Sequence, residues 1–365
     1  MLKSLKIENF RRFKSFELED LGRINLLVGM NNSGKTSILE AIQLLCSRTY
    51  IDILRQSTIE RGEFSIVDNY GGKVEDTLLN IADLFFGHEI DLDTKCTIAG
   101  NNSNLDEERV ILSVSKNEAI AEYKLIFKIE WVSQKETKSW HTSLFPSGEI
   151  SDREIAINSS EHDIIRKWET RKDETLKAQL VSLSSLTGEE MKNLFDSISL
   201  MPEESLIYDS LQKIEPKLKR IATVSKTSKK LSDREGFFVR LSDSDRRIPL
   251  GSLGDGIWRM LGLTLALLNA KGGILLVDEI DTGLHFTALS DMWKFIWKVA
   301  KELDVQVFAT THNSDCWQSL ASIASLEETE QDGITIQRIE KDKQKAVVFP
   351  REGIVIAAED DIEVR

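Results

Sequence analysis

The stretch Gly29-Met30-Asn31-Asn32-Ser33-Gly34-Lys35-Thr36 decides the fold of this 365-residue chain. It matches the pattern G-x-x-x-x-G-K-[ST], in which backbone N–H groups and a helix N-terminus surround phosphate oxygens. An apolar run from Arg23 to Val28 precedes it and predicts a strand that is buried on both faces. Apolar residues at helical spacing follow it and predict a helix over residues 35 to 47. The pattern therefore lies between a buried strand and a helix, where phosphate binding requires it.

The residues of this loop fit the phosphate groups of a nucleotide. Gly29 and Gly34 allow a tight turn in which backbone N–H groups bind phosphate oxygens. We expect Lys35 to reach the β and γ phosphates and the Thr36 hydroxyl to bind Mg²⁺. The other predicted nucleotide contacts of the loop are Asn31, Asn32, Ser33 and Ser37. The alternative is a glycine turn that does no more than start a helix.

A second apolar strand, Ile274 to Val277, ends in two carboxylates, Asp278 and Glu279. Ligands of open α/β sheets bind at the carboxyl ends of the strands, which is where both side chains should lie. We predict that Asp278 holds Mg²⁺ and that Glu279 orients or deprotonates the attacking water. An acidic pair at a strand end is otherwise a turn or a helix cap, so this prediction depends on the loop at 29–36.

The next strand, Val305 to Thr310, is followed by His312 and should lie beside the Asp278 strand. We expect His312 to point at the γ-phosphate and to respond to its presence, with a purely structural histidine as the alternative. Asp281 lies in the turn after the two carboxylates. It is either part of the same site or an N-cap of the following helix.

A further glycine-containing turn, Ser252-Leu253-Gly254-Asp255-Gly256, precedes a leucine-rich helix. By itself this stretch is typical of an N-cap with a glycine turn. A Ser-x-Gly turn that leads into a helix N-terminus is also a second anion site. One chain with two phosphate-binding helix ends suggests a nucleotide that is shared between two copies.

These motifs occur in an order that resembles one family. In sequence, the chain carries NFRRF, GMNNSGKT, SLGDG, ILLVDE followed by IDTGLH, and TTHNSD. This set is similar to that of the ABC-type ATPases of the RecF, SMC and OLD group, and the resemblance covers residues 1–48 and 236–320. It implies a P-loop ATPase head that binds ATP and Mg²⁺ and hydrolyses ATP. Asp278-Glu279, His312 and the IEVR tail look most like those of the OLD-type ATPases of bacterial defence operons. The resemblance does not include the Toprim domain that some of these proteins carry.

The resemblance also implies a role for each matching residue. Lys35 and Thr36 correspond to Walker A, Asp278 and Glu279 to Walker B, Ser252, Gly254 and Asp255 to the signature loop, Asp281 to the D-loop and His312 to the switch histidine. Arg11 corresponds to the arginine of the N-F-R element, which approaches the nucleotide, and its alternative is an exposed charge on a strand. The signature reads SLGDG instead of LSGGQ, and no glutamine can be assigned to the Q-loop.

The order of predicted elements indicates an α/β protein in which an ATPase core surrounds an insertion. The elements near the second half of the core are a strand at 237–241, a helix at 255–270, a strand at 273–277, a helix at 286–303 and a strand at 305–310. The middle region carries β-rich runs at 108–116, 123–132 and 138–145, typical of an antiparallel meander, and helical patterns at 160–178 and 187–222. We therefore expect core segments at 1–49 and 236–330, an insertion of antiparallel strands and helices at 50–235, and a hairpin with an acidic tail at 331–365, around a mixed or parallel sheet.

Composition excludes several classes of protein. Hydrophobic residues are 41% and charged residues 29% of the chain, as in folded globular proteins. The three cysteines, Cys46, Cys96 and Cys316, are widely spaced, which excludes a disulfide framework and a cysteine zinc site. No run of about 18 apolar residues and no signal-peptide core occurs. We therefore predict a cytoplasmic protein with no membrane partner.

The charge of the chain is unevenly distributed. Sixty acidic and 47 basic residues give a net charge of −13, which argues against a surface built to wrap nucleic acid. Residues 213–247 are the exception, with eleven Lys or Arg against five Asp or Glu. This stretch is either a solvated helical face or a surface for nucleic acid or a protein partner.

Two functions remain from the sequence. The first is an ATPase that forms a homodimer or higher homo-oligomer around ATP and controls a separately encoded effector, such as a nuclease, in anti-phage defence. The second is a RecF-like, ATP-dependent DNA-binding protein of repair or recombination. Too few residues follow His312 for a Toprim domain of about a hundred residues. No two histidines lie close together, and Glu359, Asp360 and Asp361 resemble a solvated tail, so we expect no nuclease activity in this chain.

Overall fold

The structure is a computed structural model that describes residues 1–48, 51–68, 75–104, 106–116, 125–153, 155, 178–181, 186–224, 236–326 and 333–364. The strands, in chain order, are β1 (Leu2–Phe10), β2 (Phe13–Leu18), β3 (Ile24–Val28), β4 (Phe64–Asp68), β5 (Glu75–Asn80), β6 (Lys95–Asn102), β7 (Glu107–Lys116), β8 (Leu125–Val132), β9 (Thr137–Leu144), β10 (Glu149–Ser151), β11 (Ala178–Val181), β12 (Leu218–Thr223), β13 (Phe237–Leu241), β14 (Ile248–Pro249), β15 (Ile274–Val277), β16 (Gln306–Thr310), β17 (Ile334–Arg338) and β18 (Val347–Pro350). The helices are α1 (Lys35–Ser47), α2 (Ile51–Glu60), α3 (Gly188–Ile198), α4 (Glu204–Leu211), α5 (Asp255–Asn269), α6 (Phe286–Glu302), α7 (Ser314–Ala324) and α8 (Arg351–Glu359).

The chain divides into two compact units that interleave along the sequence. The first consists of Met1–Glu19, Thr36–Leu176 and Lys341–Ala346, and the second of Asp20–Lys35, Lys177–Glu340 and Val347–Arg365. These units are not a test of the predicted functional domains, which stay predictions with bounds 1–49, 50–235, 236–330 and 331–365.

The first unit is built on antiparallel sheets. Its larger sheet has the strand order β2-β1-β6-β7-β8-β9, and a smaller sheet has the order β10-β5-β4. In β7 and β8 every second residue is buried, which is the pattern of a sheet with one face on a core. The predicted meander is confirmed as β7, β8 and β9, and β1, β2 and β6 extend it.

The second unit contains the mixed sheet that the sequence predicts, in the order β11-β15-β16-β3-β17-β18. Neighbouring strands from β11 to β17 run parallel, and β18 pairs with β17 in the antiparallel sense. All residues of β3, β15 and β16 are buried, as expected for strands covered on both faces. Apolar faces of α5, α6 and α7 belong to the same core. The predicted α/β fold class is confirmed.

A three-stranded antiparallel sheet, β12-β13-β14, lies in the same unit and corrects two predictions. The strand expected at 237–241 exists, but as β13 it pairs with β12 and β14 and not with the parallel sheet. The helix expected at 187–222 is wrong in its last part, where β12 lies. Leu218 and Ile221 are spaced like one helical face, but they are the buried positions of a strand that β13 holds by pairing. Local periodicity cannot reveal such a partner.

The C-terminal region is a hairpin followed by a helix. The predicted hairpin is confirmed as β17 and β18. The segment after the hairpin is not a solvated tail along its whole length. Ile354 and Ala357 of α8 are buried, and Val364 is fully buried in the core of the second unit. Glu359, Asp360 and Asp361 are exposed, as expected. A short apolar run does not by itself distinguish a tail from a packed helix.

Some predictions fall on parts of the chain that the structure does not describe. The helical pattern at 160–178 lies almost wholly there, and so do residues 225–235 of the basic stretch. Within the described ranges, none of the helices combines the length and apolar character that a membrane crossing requires.

Candidate functional site

The loop between β3 and α1 needs its glycines for backbone reasons. Gly29 has φ +144°, and a Cβ placed there would lie 2.4 Å from the backbone oxygen of Ile339. That oxygen is fixed, because the Ile339 N–H donates to the Val28 carbonyl over 2.8 Å. Asn32 and Gly34 also have positive φ, of 58° and 101°. The chain thus turns sharply before α1 and opens the loop toward the N-terminus of that helix.

The side chain of Lys35 is buried and lies along the loop. Its Nζ donates to the carbonyls of Gly29, at 2.9 Å, and Met30, at 3.0 Å. Burial lowers the pKa of this ammonium group, while the charges of Asp278 and Glu279 act in the opposite direction. The positive charge of this lysine in the loop therefore interacts with the two carboxylates at the end of β15.

The remaining loop residues differ in exposure. Asn31, Asn32 and Thr36 are exposed, whereas Ser33 and Ser37 are buried. The hydroxyl of Ser33 has no hydrogen-bond partner among the described residues. The sequence predicts all five as nucleotide contacts, and these contacts stay predictions.

The ends of β15 and β16 are joined through a threonine hydroxyl. The two strands are parallel neighbours, which confirms that the Asp278 and His312 strands lie side by side. Thr310 Oγ1 donates to Asp278 Oδ1 over 2.5 Å and accepts from the Glu279 N–H over 2.8 Å. Asp278 is buried. One hydroxyl thus fixes the orientation of both acidic residues at the carboxyl edge of the sheet.

Glu279 adopts an uncommon backbone conformation, with φ 47°. For a residue with a side chain this left-handed conformation costs about 1–2 kcal/mol, so its surroundings must impose it. Its carboxylate lies 3.6 Å from His312 Nδ1 and accepts from Thr282 Oγ1 over 3.2 Å. The structure therefore brings Glu279 and His312 together at this edge.

Arg259 is a site residue that the sequence did not reveal. It lies on α5, is almost fully buried, and donates through Nη2 to the carbonyls of Asp278, at 3.0 Å, and Glu279, at 2.9 Å. Burial lowers its pKa, with Asp281, Asp278 and Glu279 acting in the opposite direction. The available signal is a single arginine inside the apolar run of this helix. Its hydrogen bonds hold the backbone that carries both carboxylates.

Asp281 lies in the turn after Glu279 and is not a helix N-cap. The N-cap of α6 is His285, and Asp281 Oδ1 instead accepts from Thr311 Oγ1 over 2.7 Å. Thr311 Oγ1 also accepts from the Asn313 N–H over 3.0 Å. These bonds tie the segment after β15 to the segment that carries His312.

The predicted signature loop forms the N-terminus of α5. Ser252 does not cap this helix, because the N-cap is Gly254, with φ 99° and no side-chain cap. Ser252, Gly254 and Asp255 are exposed, and a Cβ at Gly256 would lie 3.3 Å from the Gly283 oxygen. Within the described residues, no hydrogen bond or ion pair joins Ser252 or Gly254 to residues 29–35. The structure thus packs this loop against the turn after β15 and leaves its helix end open.

Arg11 is buried, so the alternative interpretation of this residue as an exposed charge on a strand is wrong. It has φ 53° in the turn between β1 and β2. Its Nε lies 3.1 Å from Glu40 Oε2, and Nη1 donates to Glu63 Oε1 over 2.5 Å. Arg61 pairs with the same Glu40. Arg11 Nη1 also donates to the Asp83 carbonyl over 3.2 Å. These contacts all lie within the unit of Arg11, and an approach to nucleotide stays a prediction.

The oxygen donors of the two predicted Mg²⁺ ligands fit this ion by their chemistry. Asp278 has a buried carboxylate, and Thr36, an exposed residue of the other unit, has a hydroxyl; both are hard ligands. Among the described residues no group of three or more His, Cys, Asp or Glu is arranged to hold a metal ion. Mg²⁺ in nucleotide sites uses one or two protein groups together with phosphate oxygens and water, which agrees with this donor set.

The position of a Q-loop glutamine is still open. Gln179 lies in β11, beside the Asp278 strand, but its Oε1 accepts from Asn269 Nδ2 over 2.9 Å. Residues 182–185, which follow β11, are outside the described part of the chain.

Comparisons with known proteins show the family of the chain. Residues 1–316 match the family model described as "AAA ATPase domain". An "ATP/GTP phosphatase" of Helicobacter pylori is 21% identical over 337 residues, which is 86% of this chain and 86% of the relative. The "DNA replication and repair protein RecF" of Clostridioides difficile is 54% identical over 44 residues, 12% of either chain. A solved SMC head bound to the C-terminal winged-helix domain of ScpA covers 96% of this chain and 98% of its own, at 14% identity and a TM-score of 0.49.

The family match covers most of the chain and includes the loop at 29–36, the carboxylates after β15 and His312. The described site brings together the kinds of groups that phosphoryl transfer to water requires, namely a glycine-containing loop with its lysine and a carboxylate at the end of β15, and their roles stay predictions. The chain belongs to the AAA ATPase domain family and hydrolyses ATP.

Proposed function

We propose that two copies of this chain close around ATP and Mg²⁺, that hydrolysis opens them again, and that this cycle controls a separately encoded effector protein. The loop residues Gly29 and Lys35 receive the phosphates. Thr36 and Asp278 would hold Mg²⁺, which when bound neutralises charge on the phosphate groups. The burial of Lys35 in the loop and its electrostatic interaction with Asp278 and Glu279 support this assignment.

The chemistry rests on the carboxylate of Glu279. It accepts hydrogen bonds and therefore can orient a water molecule for attack on the γ-phosphate and take its proton. His312, whose Nδ1 lies 3.6 Å from Glu279 Oε1, would respond to the same phosphate. Thr310 and Arg259 fix the backbone at Glu279, so the carboxylate needs little rearrangement when ATP binds.

The single observation that carries the dimer is the open N-terminus of α5. Its first N–H groups have no side-chain cap, and Ser252, Gly254 and Asp255 are exposed beside it. A helix N-terminus of this kind attracts anions. Since Ser252 and Gly254 have no hydrogen bond or ion pair to residues 29–35 within the described chain, the phosphate of a second copy is the anion that fits.

Control of an effector in anti-phage defence is the finer part of the proposal. It is supported by the similarity of Asp278, Glu279, His312 and the IEVR tail to OLD-type ATPases. The curated relatives include RecF proteins, whose short matched segments keep a repair or recombination protein as the second candidate. A DNA-dependent machine should bind DNA more tightly with ATP, whereas an effector switch should co-purify with the product of a neighbouring gene.

The experiment uses Glu279→Gln, which keeps the phosphate loop but removes the water-orienting carboxylate. With ATP and Mg²⁺, this variant should bind nucleotide, release no phosphate, and elute as a dimer in size-exclusion chromatography with light scattering. Lys35→Ala should stay monomeric, since it cannot hold the phosphates. Asp360→Asn, an exposed acid far along the sequence, is the matched control and should behave like the unmodified chain.

Phosphate release at the normal rate by Glu279→Gln would contradict the catalytic assignment. A Glu279→Gln protein that binds ATP but remains a monomer at all protein concentrations would contradict the dimer and leave the catalytic assignment intact.

A further inference from the structure

Two arginines face each other across the small sheet β12-β13-β14. Arg220 on β12 and Arg240 on β13 are directly opposite in the register, and both side chains are exposed. Like charges at opposite positions of an antiparallel pair destabilise a sheet. Within the described residues neither arginine has an ion-pair partner, whereas the nearby Lys217 pairs with Asp243 over 2.6 Å. The arrangement is costly in isolation and becomes favourable when an anion lies between the two guanidinium groups.

The row next to the arginines is apolar. Ala222, Phe238 and Pro249 are paired across the three strands and, two residues along from the arginines, lie on the same face. Ala222 and Pro249 are exposed and Phe238 is partly exposed. We call these five residues, Arg220, Ala222, Phe238, Arg240 and Pro249, the basic face. Along a strand the two rows are separated by about 6–7 Å.

We propose that the basic face binds single-stranded nucleic acid, with Arg220 and Arg240 on the phosphates and a base against Phe238. Positive charge beside an accessible aromatic ring on a sheet is the combination that binds unpaired nucleotides. A duplex offers phosphates but keeps its bases stacked inside, so it uses only the arginine row. An acidic peptide likewise leaves the apolar row without a partner.

The chain also carries positive charge beside this face. Arg246 and Arg247 are exposed in the turn between β13 and β14, which also holds the exposed acids Asp243 and Asp245, and Lys219 is exposed next to Arg220. Asp243 already pairs with Lys217. The whole chain has a net charge of −13, so this concentration of basic residues is local. Screening over about 10 Å at ordinary salt lets a polyanion respond to the patch more than to the distant acidic surface.

The opposite face of the sheet contacts α5, the helix that follows the predicted signature loop. Phe237 on β13 packs edge-on against Trp258 of α5, with ring centroids 5.9 Å apart. The chain continues from β14 through Leu250–Leu253 directly into the N-terminus of α5. A ligand on the basic face therefore lies one sheet thickness from α5, which carries Arg259 and directly follows Ser252, and this provides a route by which the ligand changes ATP turnover.

The test measures fluorescence anisotropy of three labelled probes with the full chain and no nucleotide. The probes are a mixed-sequence single strand of about 20 nucleotides, the same sequence as a duplex, and a polyglutamate peptide. Arg220→Gln with Arg240→Gln removes the facing charges. Lys298→Gln with Lys301→Gln removes two exposed charges from α6 and is the matched control.

We expect the single strand to bind most tightly. The arginine variant should lose about tenfold or more in affinity, and the slope of log affinity against log salt should become shallower by about 1.4, since two phosphate contacts are lost. Phe238→Leu should weaken binding without changing the slope, and the α6 control should bind normally. Arg240→Glu should bind poorly while its Tm stays the same or rises, because opposite charges then face each other.

Three results would overturn the proposal: unchanged affinity in the arginine variant, tighter binding of the duplex, or tighter binding of the peptide. Binding that persists in Lys35→Ala protein supports it, because the face does not depend on the nucleotide site. Failure of the proposed ATP-driven dimer would leave these measurements unaffected, so the two proposals are tested separately.

Discussion

At the residue scale, Arg259 links α5 to the backbone of Asp278 and Glu279, which we predict to act in ATP hydrolysis. Replacing it with leucine leaves the carbonyls of Asp278 and Glu279 without their buried donor. The fold should lose about 2 kcal/mol, and Glu279 should relax from its left-handed conformation. We expect kcat to fall at least about tenfold, or about 1.4 kcal/mol in barrier height, with KM for ATP little changed, because the phosphate loop is untouched.

The measurement is steady-state phosphate release together with thermal unfolding of Arg259→Leu and Arg259→Lys. Lysine can keep one of the two hydrogen bonds and should restore part of kcat. Equal kcat values in both variants and the unmodified chain would show that Arg259 only fills the core.

Lys35 gives a prediction of pH dependence. Its pKa is lowered below 10.5 by burial, and the protonated form is the one that binds phosphates. ATP affinity should therefore fall as the pH rises, starting at a lower pH than for an ordinary lysine. Because the folded pKa lies below the unfolded one, the contribution of this group to stability increases with pH between the two values.

A titration of ATP dissociation constants against pH checks this, with Lys35→Arg as the control that keeps its charge. A decline with the same midpoint in both proteins would assign the effect to another group.

Sequence patterns locate the residues that a motif names and miss those that support them. Asp278, Glu279 and His312 were predictable because each follows an apolar strand. Thr310 and Arg259 were not, since a threonine at a strand end and one arginine in an apolar helix have many ordinary explanations. Their roles appear only when β15, β16 and α5 are in place.

At the element scale, the turn between β3 and α1 is constrained by one close approach. Gly29→Ala should be destabilising by about 2 kcal/mol or more and should abolish ATP binding, since a Cβ would lie 2.4 Å from the Ile339 oxygen. Gly353→Ala, within α8, meets only ordinary contacts and should instead stabilise by about 1 kcal/mol. Denaturant unfolding and ATP titration of both variants make the comparison. Normal ATP binding by Gly29→Ala would show that the loop tolerates a different path.

The elements themselves were predictable where one local pattern decides. Helix α1 has the predicted bounds because its apolar residues keep a helical period. Strand β13 was placed in the wrong sheet, since its sequence does not encode whether β12 or β15 is its neighbour. Helix α8 was missed because its burial depends on packing in the second unit, which a short apolar run does not specify.

At the scale of the whole molecule, the proposed cycle requires two copies that share each bound nucleotide. We predict that the loop at 29–36 and the N-terminus of α5 both bind anions, and within the described residues neither Ser252 nor Gly254 bonds to residues 29–35. The central claim is that the α5 end of one copy completes the phosphate site of the other. A dimer of one copy with a defective loop and one copy with a defective signature should then keep one intact composite site.

The most direct measurement mixes Lys35→Ala with Ser252→Arg protein, each carrying a different tag, and purifies the heterodimer by both tags. One of its two composite sites has an intact loop and an intact signature. The account predicts ATP hydrolysis at up to about half the normal rate per dimer, from one of two sites, while each variant alone is inactive. A purified heterodimer that binds ATP and hydrolyses none would contradict the shared site.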